Sequence, residues 1–250
     1  MVVLKTSEEI EQMKKPNRIV AEILEELAGM CRPGVSTMEL EERARKLTHQ
    51  YKVKPAFYQY RGYPAYLCVS VNEEVVHGIP RRDKLLKDGD IVSLDFGVVD
   101  QGFVGDAALT VQVGQVSEPV KKLLEVTRQA LDQAVEKCRP GLHLADIAHA
   151  VQSLAEANGF SVVRDFVGHG VGRAMHEDPQ VPNFGTPRPN LKLREGMVLA
   201  LEPMVNMGTW RVKVLDDGWT VVTEDGKPSA HFEHSVAITA NGPLVLSQRN

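Results

Sequence analysis

The run Cys31-Arg32-Pro33-Gly34 returns as Cys138-Arg139-Pro140-Gly141, 107 residues on, and at that same offset residues 86–95, LKDGDIVSLD, return as residues 193–202, LREGMVLALE. Two helices that end alike would explain one match, but not the shared shift. The chain therefore reads as a duplication, a single domain over 1–250 made of related halves of about 1–115 and 116–250. Each half supplies two helices and a portion of sheet. The expected class is α+β, with pseudo-two-fold duplicated αβ halves whose helices cover one face of a curved, mostly antiparallel sheet. A chain of 250 residues is long enough to bury a substantial core in this way.

Helical periodicity runs through residues 7–30, with Ile10, Met13, Ile19, Ile23, Leu24 and Leu27 apolar and Thr6 and Glu9 spaced as a capping box. Pro16 removes a donor inside that stretch and predicts two shorter helices. A second helix opens at Ser36, with Glu39 three residues on. Residues 124–137 are again helical, and a further helix follows Leu142.

Residues 86–113 predict two strands, Ile91–Val99 and Phe103–Val113, that turn at Asp100-Gln101-Gly102. Each apolar strand carries a carboxylate, Asp95 or Asp106. A two-residue loop at Asp100–Gln101 would set them directly opposite, with Cβ atoms roughly 5 Å apart; a bulge at Gly102 would shift that register by one. Charges about 4 Å apart repel by about 4 kcal/mol at an effective dielectric near 20. A proton, a basic side chain or a metal must neutralise them.

The repeat places Glu202 at the position of Asp95, and Glu233 is the candidate counterpart of Asp106 on the next strand of the second half. The longer separation there holds another hairpin, Trp210–Leu215 and Trp219–Thr223, turning at Asp216-Asp217-Gly218. Four carboxylates meeting in the core call for about four positive charges, which two divalent cations supply. Residues 160–176 run from an apolar strand into a glycine-rich turn around His169, with His176 beyond it. Glycines let backbone come close to a ligand, which marks His169 as a candidate ligand.

Asp95, Asp106, His169, Glu202 and Glu233 together resemble the metal ligands of the methionine aminopeptidases, a family with the pita-bread fold shared with prolidase, aminopeptidase P and creatinase. His77-Gly78-Ile79-Pro80, Asp95-Phe96-Gly97, Gly168-His169-Gly170, His176-Glu177, Leu201-Glu202-Pro203 and Phe232-Glu233-His234 fall in the family's order across nearly the whole chain. The short interval from His169 to Glu202 leaves no room for the helical insertion of type II enzymes, so the chain is similar to type I.

The resemblance implies an enzyme that hydrolyses the initiator methionine from nascent polypeptides and prefers a small second residue. The ligand set is rich in oxygen and lacks thiolate, which suits two divalent cations drawn from Co, Mn, Fe(II) or Zn. By this resemblance a water held between such cations would have a lowered pKa, and the resulting metal-bridged hydroxide would attack the scissile carbonyl near neutral pH. Glu202 would also act as general base, His176 would hydrogen-bond the carbonyl oxygen, and His77 would contact the substrate near the scissile nitrogen. Phe57, Tyr60, Tyr63, Cys68, Met175 and Trp219, with His77, correspond to the pocket for the thioether, where sulfur contacts contribute about 0.3–1.5 kcal/mol each. Phe57, Arg61 and Met175 depart from residues common in relatives and bear on the pocket's shape. The Asn72 loop corresponds to a monovalent cation site of some relatives.

A formal charge of −4 with dispersed signs shows no basic tract for DNA or anionic lipid. The segment MVVLKTSEEI lacks the apolar core of a secretory signal, and no apolar run reaches membrane-spanning length. Cys31, Cys68 and Cys138, odd in number, read as free thiols in a reducing compartment, and the expected location is cytoplasmic. A monomer that touches the ribosome transiently is the expected state. Two other readings share the fold. An X-Pro hydrolase usually carries a separate N-terminal domain, absent here, and a non-enzymatic binding module typically loses ligands, whereas here none is lost.

Overall fold

The computed structural model describes residues 1–185 and 190–248. Among the described residues, four α-helices, α1 (Ser7–Met30), α2 (Thr37–Tyr51), α3 (Glu118–Glu136) and α4 (Leu144–Ala157), and a short 3-10 turn (Tyr60–Gly62) accompany strands that all pair antiparallel. Both expected capping boxes form. Thr6 and Glu9 exchange bonds at the start of α1, and Ser36 and Glu39 do so at α2, satisfying N–H groups that have no partner within the helix.

Pro16 does not divide α1, contrary to expectation; the helix runs through it unbroken. An interior proline costs about 3 kcal/mol, and tertiary contacts offset that cost here. Pro16 and Asn17 are buried against the strand Phe103–Gln112, where a Cβ on Gly105 would fall 2.4 Å from the Pro16 carbonyl carbon. Asn17 donates to Met13 O at 2.9 Å and accepts from the Asp106 N–H at 3.3 Å. The helix is thereby tied to the strand beside Asp106.

The main sheet runs in the order Lys54–Pro55, Ile91–Asp100, Phe103–Gln112, Glu233–Thr239, Val198–Leu201, Gly168–Gly170, Glu177–Val181. Leu67–Val71 also pairs with Ile91–Asp100, and Gly242–Val245 with Glu233–Thr239. At its centre Glu233 faces Ala108 and His234 faces Ala107, so the hairpin of the first half meets the long strand of the second. Side chains alternate across each strand. Val92, Leu94 and Phe96 pack with Ile23, Leu24, Leu27, Leu40 and Leu47 of α1 and α2. Leu199, Leu201, Val236 and Ile238 pack in the same way with Leu123, Leu131, Ile147 and Val151 of α3 and α4. Each buried leucine contributes about 1.5–3 kcal/mol, so two helix pairs hold one sheet from the same side. Isolated bridges Ser36–Leu85 and His143–Lys192 repeat at the spacing of the sequence repeat.

The extra hairpin is shorter than expected, Val212–Val214 and Val221–Thr223, and continues through Glu74–Val76 as a separate small sheet. Among the described residues, no helix is long and apolar enough to cross a membrane.

Candidate active site

The central hairpin corrects the predicted register. Its loop is Gln101–Gly102, with φ of 48° and 82°, and Asp100 pairs with Phe103. A tight hairpin turn needs positive φ at both central residues, so the glycine belongs in the loop rather than after it. Asp95 therefore faces Ala108, and Asp106 faces Gly97. The two carboxylates share a face as diagonal rather than direct neighbours. Glu233 also faces Ala108, so Asp95 and Glu233 flank one alanine across three strands. Glu202 and Glu233 each lie one residue beyond the pair Leu201–His234.

His169 sits in a short strand, not in a turn, between Val198–Leu201 and Glu177–Val181. The flanking glycines serve neighbouring backbone rather than a ligand. A Cβ on Gly168 would lie 2.3 Å from Ala200 O, and one on Gly170 would lie 2.3 Å from Asp178 O. The imidazole Nδ1 donates to Gly170 O at 2.9 Å. That fixes the tautomer and leaves Nε2 as a lone pair, 3.5 Å from Glu202 Oε1 and 3.7 Å from Asp106 Oδ2.

Such an arrangement is repulsive whenever the acids are ionised. A lone pair faces carboxylate oxygens, and Asp95 Oδ1, Asp106 Oδ1 and Glu233 Oε1 are buried without a hydrogen-bond partner. Among the described residues no Lys or Arg forms an ion pair with any of the four acids. Burial, joined by mutual repulsion, holds the Asp95, Glu202 and Glu233 carboxyls well above the usual carboxylate range. Burial likewise raises Asp106, which contact with Glu233 lowers again in part. Burial also pushes the His169 imidazole down to about 4, so it is neutral at physiological pH. Asp106, His169 and Glu233 each offer one ligand atom within 4.8 Å of the others. Unpaired oxygens plus one correctly oriented imidazole nitrogen fit a divalent metal, since cations resolve what is otherwise an uncompensated buried charge.

Above this floor rises a wall. One cavity is lined by the five candidate ligands together with Phe57, Tyr60, Tyr63, Cys68, His77, Met175, His176 and Trp219, so it holds all of the residues expected at the site. Val76 also lines it, and Phe166 meets the His77 ring edge-on at 5.6 Å. Neither was anticipated. Val76 adjoins His77 in sequence, but nothing in the local pattern around Phe166 points to the site. Tyr63 is buried, donating to Gly78 O at 3.0 Å, and meets Trp219 edge-on at 5.1 Å. Cys68 lies opposite Asp95, its thiol kept protonated chiefly by burial. His77, left-handed at φ 60°, is pushed down to about 4 by burial and then by His176.

His176 stands at the rim. Its Nδ1 is 2.8 Å from the Tyr60 hydroxyl, and its ring centroid is 4.2 Å from that of His169. Burial and the nearby Arg61 charge lower its pKa. Arg61 itself lies over the Tyr60 ring at 5.6 Å, in a loop where Gln59, Arg61 and Gly62 all have positive φ.

Comparison with known proteins agrees with this geometry. The profile of metallopeptidase family M24 matches residues 11–240. A methionine aminopeptidase of Clostridium perfringens is 52% identical over 247 residues, covering 99% of both chains. The crystal structure of a methionine aminopeptidase from Thermotoga maritima superposes with a TM-score of 0.98 at 50% identity, covering 100% of both chains. Prolidase from Pyrococcus furiosus, at 23% identity, TM-score 0.81 and coverage of 99% of this chain and 66% of its own, shares the pita-bread fold alone. On these grounds the chain belongs to metallopeptidase family M24 and, within it, to the methionine aminopeptidases.

Proposed function

We propose that this chain removes the N-terminal methionine from polypeptides whose second residue is small, as a single catalytic domain over 1–250 with two related halves. The observation that carries the reading is a knot of unpartnered buried carboxylate oxygens and one imidazole lone pair at the bottom of an apolar pocket. Asp95, Asp106, His169, Glu202 and Glu233 would hold two divalent cations of the Co, Mn, Fe(II) or Zn kind. Such cations supply Lewis acidity, polarising a carbonyl and acidifying a water.

The chain's own groups do the rest. Glu202, lining the floor of the cavity beside the other acids, would take up a proton from water and could return it to the departing amine. With the Tyr60 hydroxyl donating to His176 Nδ1, Nε2 carries the proton and donates to the carbonyl oxygen as charge develops there. His77, neutral through burial, is read as contacting the substrate beside the scissile nitrogen. Phe57, Tyr60, Tyr63, Cys68, Met175 and Trp219 form the wall against which an unbranched thioether packs and from which water is excluded.

The accompanying proposals are a cytoplasmic monomer acting on nascent chains during transient contact with the ribosome, and a monovalent cation at the Asn72 turn. Asn72 is left-handed at φ 56°, and its amide is spent on Asp90 and Ile91, so backbone carbonyls would have to bind that cation. The deciding experiment compares release of methionine from a Met-Ala-Ser peptide with cleavage of an X-Pro peptide, using manganese-loaded protein and its His169→Ala variant. Methionine release that His169→Ala abolishes is the expected result. Equal behaviour of the two proteins, or preference for X-Pro, would overturn the reading.

A further inference from the structure

Glu177 follows His176 directly, yet it does not line the cavity. Its Oε1 accepts from the backbone N–H groups of Arg173 at 2.8 Å and Ala174 at 3.2 Å, closing the loop on itself. Its Oε2 takes the Lys5 ammonium at 2.5 Å, and only 4% of the Lys5 side chain and 12% of the Glu177 side chain remain exposed. Lys5 is itself anchored, since its N–H donates to Gly196 O at 2.7 Å and Nζ also reaches Val3 O at 3.2 Å. Gly172 is the space this bridge occupies: a Cβ there would lie 2.5 Å from Lys5 Cε and 2.6 Å from Glu177 Oε1.

The loop so held, residues 172–176, has no regular secondary structure, and it carries Met175 into the cavity wall and His176 to its bond with Tyr60. Its other end is fastened too. Val104 N–H donates to Gly172 O at 2.8 Å, and the Arg173 guanidinium lies 4.2 Å from the Phe103 ring. A buried ion pair adds little net stability, because desolvation opposes the attraction. What it can supply is conformational choice, because the alternative loop positions leave a charge buried and alone.

We propose that Lys5 and Glu177 are positioning residues, a buried strut from the segment before α1 that fixes His176 for its hydrogen bond to the substrate. The inference rests on the reading of His176 as the donor to the scissile carbonyl. Displacing a catalytic group by about 1 Å costs on the order of a hundredfold in rate.

The test uses the full chain loaded with manganese and four variants: Lys5→Met, which keeps the apolar stem, Lys5→Arg, His176→Ala, and Lys5→Met with His176→Ala. For Lys5→Met, kcat on a Met-Ala-Ser peptide should fall roughly 10- to 100-fold while KM and manganese affinity by calorimetry stay within about twofold. Amide exchange at residues 173–177 should quicken by about tenfold, reporting a loosened loop. Lys5→Arg should restore the larger part of kcat. In the His176→Ala background, Lys5→Met should have no further effect on kcat, because the strut acts only through that imidazole. An undiminished kcat in Lys5→Met, or an equal further loss in the His176→Ala background, overturns the proposal and leaves the role of His176 standing. A His176→Ala protein with full kcat instead overturns the reading of His176 itself, and the strut with it. Should Lys5→Met fail to fold, Glu177→Gln, which keeps an oxygen for the two N–H groups, carries the same test.

Discussion

The floor of the cavity and its rim are built by different means. On the floor, Asp95, Asp106 and Glu233 project from adjacent strands of the main sheet and His169 from a nearer-edge strand, so each position is set by pairing register. At the rim, Tyr60 opens a single 3-10 turn, and His77, which is left-handed, and His176 come from loops; all three are held by side-chain contacts rather than by strand pairing. A strand register slips only by reversing every side chain on the strand. A loop shifts at much lower cost. The floor is therefore suited to holding charge that must not move, and the rim to accepting a substrate that comes and goes.

The largest expected effects lie on the floor. Replacing His169 by Ala removes a ligand atom from the buried cluster, and replacing Asp106 by Asn removes a ligand charge. Turnover of a Met-Ala-Ser peptide should fall by more than roughly a thousandfold, with loss of tight manganese binding in a calorimetric titration. A change confined to KM would erase the distinction between floor and rim. The supporting strands are equally intolerant. Gly168→Ala would drive a Cβ to 2.3 Å from Ala200 O, where backbone must give way. A stability loss of about 1–3 kcal/mol in urea unfolding is expected, with metal affinity falling alongside because His169 moves with the strand.

The acids of the floor also predict a pH dependence opposite to that of ordinary surface carboxylates. In the metal-free protein, burial holds Asp95, Glu202 and Glu233 well above the usual range and Asp106 at about 7. Each keeps a proton in the folded state that it releases when unfolded, so its contribution to stability is present at low pH and is lost as pH rises through the folded value. Buried histidines act in the other direction. His77, His169 and His234 are lowered to about 4 and His231 to about 3, so their neutral forms add stability as pH rises, but only up to their ordinary value near 6.5. From about 6.5 to about 8.5 the carboxylates dominate, and only beyond that do the thiols of Cys31, Cys68 and Cys138, also raised by burial, act in the same direction. Thermal midpoints of metal-free protein should therefore fall from about pH 6.5 to 8.5, and saturating manganese should abolish the decline. A flat metal-free profile would mean that the floor is solvated like the rim.

The same contrast explains what the sequence could disclose. Asp95 and Asp106 stood out because a carboxylate inside an apolar strand contradicts its surroundings, and the repeat extended that signal to Glu202 and Glu233. The exact facing was misjudged by the turn alone, since placing Gly102 inside the loop rather than after it moves every pair by two. Pro16 misled in a similar way, because the compensating contact comes from Gly105, far along the chain. The rim left no such trace. Tyr60, Trp219 and Met175 are ordinary residues in loops or beside short strands, and only family resemblance brought them together. Phe166 was missed because it reaches the site through packing, by its ring contact with His77 and the apolar cluster that includes Val76, and neither leaves a mark in the local sequence.

The smallest effect, and the sharpest test of the contrast, concerns how the two histidines are oriented. His169 is oriented by the carbonyl of Gly170, an acceptor that no side-chain substitution removes. His176 depends on the Tyr60 hydroxyl, 2.8 Å from its Nδ1, with the Tyr60 ring stacked on it at a centroid distance of 5.3 Å. Tyr60→Phe keeps the ring, and so the wall and the stacking, while deleting the bond that orients the imidazole and through which the proposed mechanism has the hydroxyl donate to Nδ1. A single such hydrogen bond contributes about 0.5–1.5 kcal/mol, so kcat should fall roughly two- to tenfold with KM little changed. Because the substrate's carbonyl oxygen gains charge only in the transition state, the loss belongs in kcat and not in binding. A raised KM with intact kcat would instead make Tyr60 part of the methionine pocket alone, and His176 would owe its orientation to the loop that Glu177 closes.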